Sequence, residues 1–111
     1  MKPALIRKYA LSLPETTEEP HFQYASFRVR GKIFMTVPPG ERYIHVFVDD
    51  DRREPALELH PEFVEKLHWG AKVVGLRVEL AKAEAGVVKD LVLQAWRRKA
   101  PKALAATVVP S

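Results

Sequence analysis

An alternating segment with one internal glycine, ASFRVRGKIFMTV from Ala25 to Val37, constrains the fold more than any other part of the chain. β-Branched and aromatic residues at alternate positions favour extended strands. Gly31 tolerates the positive φ that a two-residue hairpin turn requires. The segment is therefore predicted to be a β-hairpin with Phe27 and Val29 on its apolar side. Three cations are predicted to share the other side: Arg28, Arg30 and Lys32.

Helical and extended patterns alternate around this hairpin. Apolar residues at helical spacing predict one helix over about residues 3–13 and another over about 83–99. A short helix is predicted from Asp49 through Glu58, and the acidic stretch Glu15–Pro20 is expected to be a turn. Further strands are predicted at residues 43–48, 63–67 and 72–80. This order predicts an α+β two-layer sandwich, an antiparallel sheet backed by N- and C-terminal helices.

The final predicted helix carries an apolar stripe centred on Leu91. Leu93 and Trp96 lie off that stripe. Their position indicates either a second contact or an exposed apolar spot, and the pattern leaves both open.

A single domain is expected over residues 1–111, because a chain of this length can build one core but not two. The tail after about residue 104 is expected to fray. No apolar run approaches the ~20 residues that a membrane span requires. Arg7 and Lys8 interrupt the apolar stretch that a signal peptide would keep. A cytoplasmic protein without a membrane partner is therefore expected.

The formal net charge of +4 lies entirely after Ala85, where five Lys/Arg face one Asp. A basic end of this kind favours polyanions. It is also what a solvated helix end looks like when its cations complement the helix macrodipole. The cations that could contact a polyanion there are Arg97, Arg98, Lys99 and Lys102.

Several segments, in this order, resemble the MmcQ/YjbR family of small bacterial proteins. The resemblance runs from about Tyr9 to Ala106. The positions that carry its most specific motifs are His21, Phe22, Gly31, Trp69 and Gly70. It implies a CyaY-like fold with a twisted antiparallel sheet, and it brings the family label of DNA-binding protein. His21 is either a polar group at a pocket mouth or a structural histidine at a loop corner.

Two departures limit what the resemblance carries over. The segment between Leu59 and Trp69 is shorter than is usual in the family, so any function of that loop is in doubt. Frataxin-like proteins bind iron through an acidic first helix, whereas the segment from Pro3 to Leu13 contains no acid. Iron binding is therefore not expected.

Common catalytic and metal-binding patterns are missing from the sequence. It contains no cysteine, no G-x-S-x-G motif, no P-loop and no histidine pair at metal-binding spacing. Asp49, Asp50, Asp51 and Glu54 could hold a hard cation, but aspartates before a helix more often cap it. No metal or cofactor is expected.

The sequence is compatible with three kinds of function. The first is a small module that binds DNA weakly and non-specifically through the backbone, using the basic hairpin and the basic C-terminal end, with a Kd of about 10⁻⁴–10⁻⁶ M. The alternative is a protein- or small-ligand-binding module that has no nucleic-acid role and carries aromatic side chains around a concave sheet: Tyr24, Phe34, Trp69 and Trp96. An enzyme, which is not expected, would need convergent titratable groups, such as His21, His45 and Asp49, to meet in a cleft.

Overall fold

The computed structural model describes residues 1–108. Its helices are α1 (Pro3–Ser12), α2 (Asp50–Leu59), α3 (Ala85–Lys99) and α4 (Lys102–Ala105). Its strands are β1 (Thr16–His21), β2 (Tyr24–Val29), β3 (Lys32–Val37), β4 (Tyr43–Val46), β5 (Val64–Trp69) and β6 (Lys72–Glu79). The strands form one antiparallel sheet in the order β1-β2-β3-β4-β6-β5, and α3 packs against β2, β3 and β4. The predicted α+β two-layer sandwich is confirmed.

The core lies between the sheet and the helices α1 and α3. One register row crosses four strands through Phe27, Met35, Val46 and Leu76, and each of these side chains is fully buried. From α3, the predicted stripe around Leu91 meets this layer. Residues that alternate with the buried row point to the opposite face of the sheet. That face is therefore the one available for a ligand.

Trp96 makes a second contact, one of the two outcomes that its off-stripe position left open. Its side chain is fully buried, and its indole Nε1 donates a hydrogen bond to the Pro14 carbonyl oxygen at 3.1 Å. Pro14 lies in the connection between α1 and β1. Trp96 therefore connects α3 to the start of the sheet through both packing and a partly buried hydrogen bond.

The hairpin of β2 and β3 forms as predicted, with Arg30 and Gly31 in a two-residue turn at φ 49° and 82°. A β-bulge interrupts the pairing after Phe27. Lys32 pairs directly with Val29, and directly opposed residues share a face of the sheet. Lys32 therefore lies on the apolar side, opposite to Arg28. The prediction that the three cations share one side is wrong.

The stretch Glu15–Pro20, which was expected to be a turn, is mostly strand. β1 pairs with β2 from Thr16 opposite Val29 to His21 opposite Tyr24. It is an exposed edge strand, so its sequence lacks the hydrophobic alternation of a half-buried one. Charged residues and proline are common on such edges because they discourage pairing with another chain.

The start of α2 also differs from expectation. Asp49 occupies the N-cap position, but in the described chain its carboxylate makes no capping hydrogen bond. Asp50 instead forms an ion pair with Arg53. Within residues 1–108, no three His, Asp or Glu side chains gather where they could hold a metal ion.

The chain continues past the predicted start of fraying as α4 and a turn. Leu104, Ala105 and Val108 are partly buried against the core. Fraying of the tail stays a prediction, and its last part, residues 109–111, lies outside the described residues. None of the described helices is long and apolar enough to cross a membrane.

Candidate functional site

A groove of about 690 Å³ lies on the sheet face opposite the core. Aromatic side chains contribute to its lining from several elements: Phe22, Tyr24, Phe47 and Trp69. Cationic side chains also line it: Arg53, Lys72, Arg98 and Lys99. Flat apolar surfaces and positive charges therefore meet in one concave region, which is defined here as the groove.

One register row of polar residues crosses the sheet, and its members Thr36 and His45 contribute to the lining of the groove. Ser26, Thr36, His45 and Arg77 oppose one another on β2, β3, β4 and β6. Ser26 and Thr36 are buried in the sheet, and the Ser26 hydroxyl donates to the Glu19 carbonyl oxygen at 2.7 Å. This row is next to the buried apolar row, so the two faces of the sheet differ sharply in polarity.

The most exposed aromatic side chains of the groove lie in the hairpins at the two edges of the sheet. Phe22 occupies the β1–β2 turn, where it has a φ of 58° and is 93% exposed. Trp69 ends β5, before the turn that contains Gly70, and is 81% exposed. Because both rings are so exposed, most of their apolar surface is still accessible to a ligand.

The cations reach the groove from three parts of the fold. Arg98 and Lys99 end α3, and Lys72 begins β6. Burial, with Arg98 and Lys32 nearby, lowers the pKa of the Lys99 ammonium from its usual value. Arg53 already donates to the Val48 carbonyl oxygen and pairs with Asp50. Lys72, Arg98 and Lys99 form no ion pair among the described residues, so they are better placed than Arg53 to contact an anion, although Arg98 also donates to a backbone carbonyl.

The arginines of the predicted basic hairpin contact acids outside the groove. Arg30 forms two hydrogen bonds to the Glu15 carboxylate, at 2.9 and 3.0 Å. The hydrogen bond from Arg30 is the main cause of the lowered pKa of Glu15. Arg28 donates to Ser26 Oγ at 3.0 Å and lies 4.0 Å from the Glu19 carboxylate. The strand β1, which the sequence did not reveal, supplies Glu19 to Arg28, and Glu15, which directly precedes β1, is the partner of Arg30.

The structure separates the other predicted site residues. His21 and His45 both line the groove, whereas Asp49 lines a neighbouring cavity. Arg97 lines that same cavity, and Lys102 lies in α4. The three side chains named for the enzyme hypothesis are therefore divided between two cavities.

The aromatic residues of the alternative hypothesis divide in the same way. Tyr24 and Trp69 line the groove as expected, but Phe34 and Trp96 are fully buried in the core. The β-bulge explains Phe34, because it breaks the alternation and turns both Phe34 and Met35 towards the helices. Phe22 and Phe47 are the aromatic residues of the groove that the alternative hypothesis missed.

His45 lines the groove from β4, with its ring 6.0 Å from that of Tyr24. Burial, and secondarily the positive charge of Arg77, lower its pKa from the usual value. The folded state therefore favours the neutral imidazole. This stabilising contribution is complete above the unfolded pKa of about 6.5 and is lost as the pH falls through the lower folded pKa.

We expect the free energy of unfolding to decrease as the pH is lowered from about 7.5 to about 5, and to decrease less in His45→Gln. Urea unfolding at both pH values measures the difference. His68→Gln, at an exposed histidine that also lines the groove, is the matched control and is expected to keep the wild-type dependence. Equal pH dependence in wild type and His45→Gln would contradict the assignment.

Together these features define the class: an α+β two-layer protein with a mixed aromatic and cationic groove on the open face of its sheet. The family model described as YjbR matches residues 11–98, so the chain belongs to the YjbR family. The fold is similar to the crystal structure of the Deinococcus radiodurans protein DR2400, which has a DUF419 domain. That match has a TM-score of 0.70 and 17% identity, and it covers 84% of this chain and 74% of the other. No curated protein matched the chain.

Proposed function

We propose that this protein binds nucleotide units, each a planar base with a phosphate, through the groove, and that a single-stranded nucleic acid is its preferred form of that ligand. The observation that carries this proposal is the convergence of four aromatic side chains and the cations on one concave face. Aromatic rings stack on unpaired bases of any sequence, and cations beside them contact the backbone.

This proposal moves the nucleic-acid surface away from the hairpin arginines. Arg28 and Arg30 already have acidic partners, whereas Lys72, Arg98 and Lys99 border the aromatic rings. It also unites the two hypotheses drawn from the sequence, because the small-ligand pocket and part of the predicted basic end occupy the same groove. We expect sequence-independent, salt-sensitive binding with a Kd of about 10⁻⁴–10⁻⁶ M.

The test is a set of titrations with a mononucleotide, a short single strand and the matching duplex, each at low and physiological salt. The single strand is expected to bind most tightly, because its bases are free to stack. Lys72→Glu/Lys99→Glu should weaken that binding and reduce the slope of log K against log salt by about 1.4, or about 0.7 for each phosphate that is no longer neutralised by a lysine.

The matched control is Lys2→Glu/Lys8→Glu, which makes the same charge change at exposed residues outside the groove. Its effect on the salt slope should be much smaller. Tighter binding of the duplex than of the single strand would contradict stacking in the groove. Failure of all three ligands to bind at low salt would overturn the proposed function.

A further inference from the structure

A second cavity, of about 370 Å³, adjoins the groove. It lies where the end of β4, the start of α2 and the last turns of α3 meet, and is defined here as the side cavity. Its charged lining residues are Asp49, Asp51, Arg52, Arg97 and Arg98. Arg98 lines both the groove and the side cavity, so the two cavities are neighbours that share this side chain as part of their walls.

Arg97 lines the side cavity and holds a buried hydrogen-bond donor that has no partner among the described residues. Its Nη1 is buried and has no hydrogen-bond partner among the described residues. A buried donor left unpaired is costly, and the guanidinium always remains charged. An acceptor in the side cavity would satisfy this group once the Arg97 side chain turns Nη1 towards the cavity that it lines.

The surrounding charges favour an oxyanion in this position. Three guanidinium groups line the side cavity, and a guanidinium matches the geometry of phosphate oxygens. Asp49 and Asp51 form no ion pair with these arginines within the described part of the chain, so the arginines are not closed off by them. Their carboxylates can accept from a sugar hydroxyl or from a protonated phosphate oxygen.

The link through Arg98 suggests which phosphate would enter. Arg98 Nη1 donates to the carbonyl oxygen of Phe47 at 3.2 Å, and Phe47 lines the groove. The side cavity shares only this arginine with the lining of the groove, so it is a separate cavity beside the groove. Internal phosphodiesters of a bound strand would follow the groove, whereas an end group can turn aside.

We propose that the side cavity is a phosphate-binding site and that it holds the terminal phosphate of a nucleotide whose base lies in the groove. The second part rests on the proposed function, whereas the first part does not. Arg97 is the donor that distinguishes this site, with Arg52 and Arg98 beside it.

The first experiment uses inorganic phosphate alone, with chloride at equal ionic strength as the reference. Phosphate is expected to raise the melting temperature of the wild-type protein, and this rise should be absent in Arg97→Gln and reduced in Arg52→Gln. Arg52 is exposed, so its variant guards against a loss of folding at position 97. No rise in the wild type, or the same rise in all three proteins, would overturn the phosphate site.

The second experiment compares one single strand in three forms, with a 5′ phosphate, with a 3′ phosphate and with hydroxyl ends. One phosphorylated form is expected to bind about tenfold more tightly than the hydroxyl form, the effect of about one charge-assisted hydrogen bond. Arg97→Gln should remove this preference while leaving the affinity for the hydroxyl form unchanged. A change in both affinities by the same factor would overturn the assignment.

The two proposals can fail separately. Equal affinities of the wild type for all three forms would overturn the terminal-phosphate assignment while the groove still binds the strand. Binding of phosphate without binding of any strand would support the side cavity as a phosphate site and overturn the proposed function.

Discussion

Replacing Trp96 by alanine is expected to lower the free energy of unfolding by about 3–5 kcal/mol, the usual cost of truncating a large buried aromatic residue. Its side chain is fully buried between α3 and the rest of the core. The same substitution removes the hydrogen bond to the Pro14 carbonyl oxygen. Urea unfolding followed by far-ultraviolet circular dichroism measures the loss without relying on tryptophan fluorescence.

Two further variants separate the causes of that loss. Trp96→Phe keeps most of the packing and leaves the Pro14 carbonyl oxygen without its donor, so it should cost about 1–3 kcal/mol. Trp69→Ala removes the other tryptophan of the chain, which is 81% exposed, and should stay within about 0.5 kcal/mol of wild type. A Trp96→Ala protein as stable as Trp69→Ala would contradict the burial of Trp96.

The double substitution Phe22→Ala/Trp69→Ala is expected to weaken binding of a single strand about 100-fold. Stacking of a base on an aromatic side chain contributes about 1–3 kcal/mol, so each truncation alone should cost about tenfold. The two residues belong to hairpins at opposite edges of the sheet, so their effects should be nearly additive. Fluorescence anisotropy of a labelled strand measures both single variants and the double variant.

Leu59→Ala is the matched control for this prediction. Leu59 is also a large exposed apolar residue, at 69%, but it lies outside the groove. Its variant should bind the strand like the wild type. Wild-type affinity of the double variant, with an unchanged melting temperature, would show that these aromatic residues do not contact the ligand.

Most of the fold could be predicted from local patterns. The helices α1 and α3 and the β2–β3 hairpin all carry strong periodicity, because one side of each is buried in the core. The strand β1 could not be predicted, because its side chains are largely exposed. Backbone hydrogen bonds to β2 hold it in the sheet, and such bonds leave no pattern in the side chains.

The candidate site was predictable only in part. Trp69 and Tyr24 were assigned to a concave sheet face, and Arg98 and Lys99 were assigned to a ligand surface. The β-bulge could not be foreseen, and it transfers Phe34 from the expected groove lining to the core. Phe22 carried a usable signal, since it is an aromatic residue just before the predicted hairpin and belongs to the family motif.

The sequence by itself determined the α+β class, the helices at both ends and the apolar layer. Burial of one face of an element requires apolar residues at a regular spacing, and that spacing is visible in the sequence. Only the tertiary structure decided which charges are neutralised and which surround the groove. The pairing of β1 with β2 places Glu15 beside Arg30. The last turn of α3 brings the Arg98 side chain to the carbonyl oxygen of Phe47. Such contacts join residues that are far apart in the chain. Strand register and bulges determine them, and neither produces a periodic pattern in the local sequence.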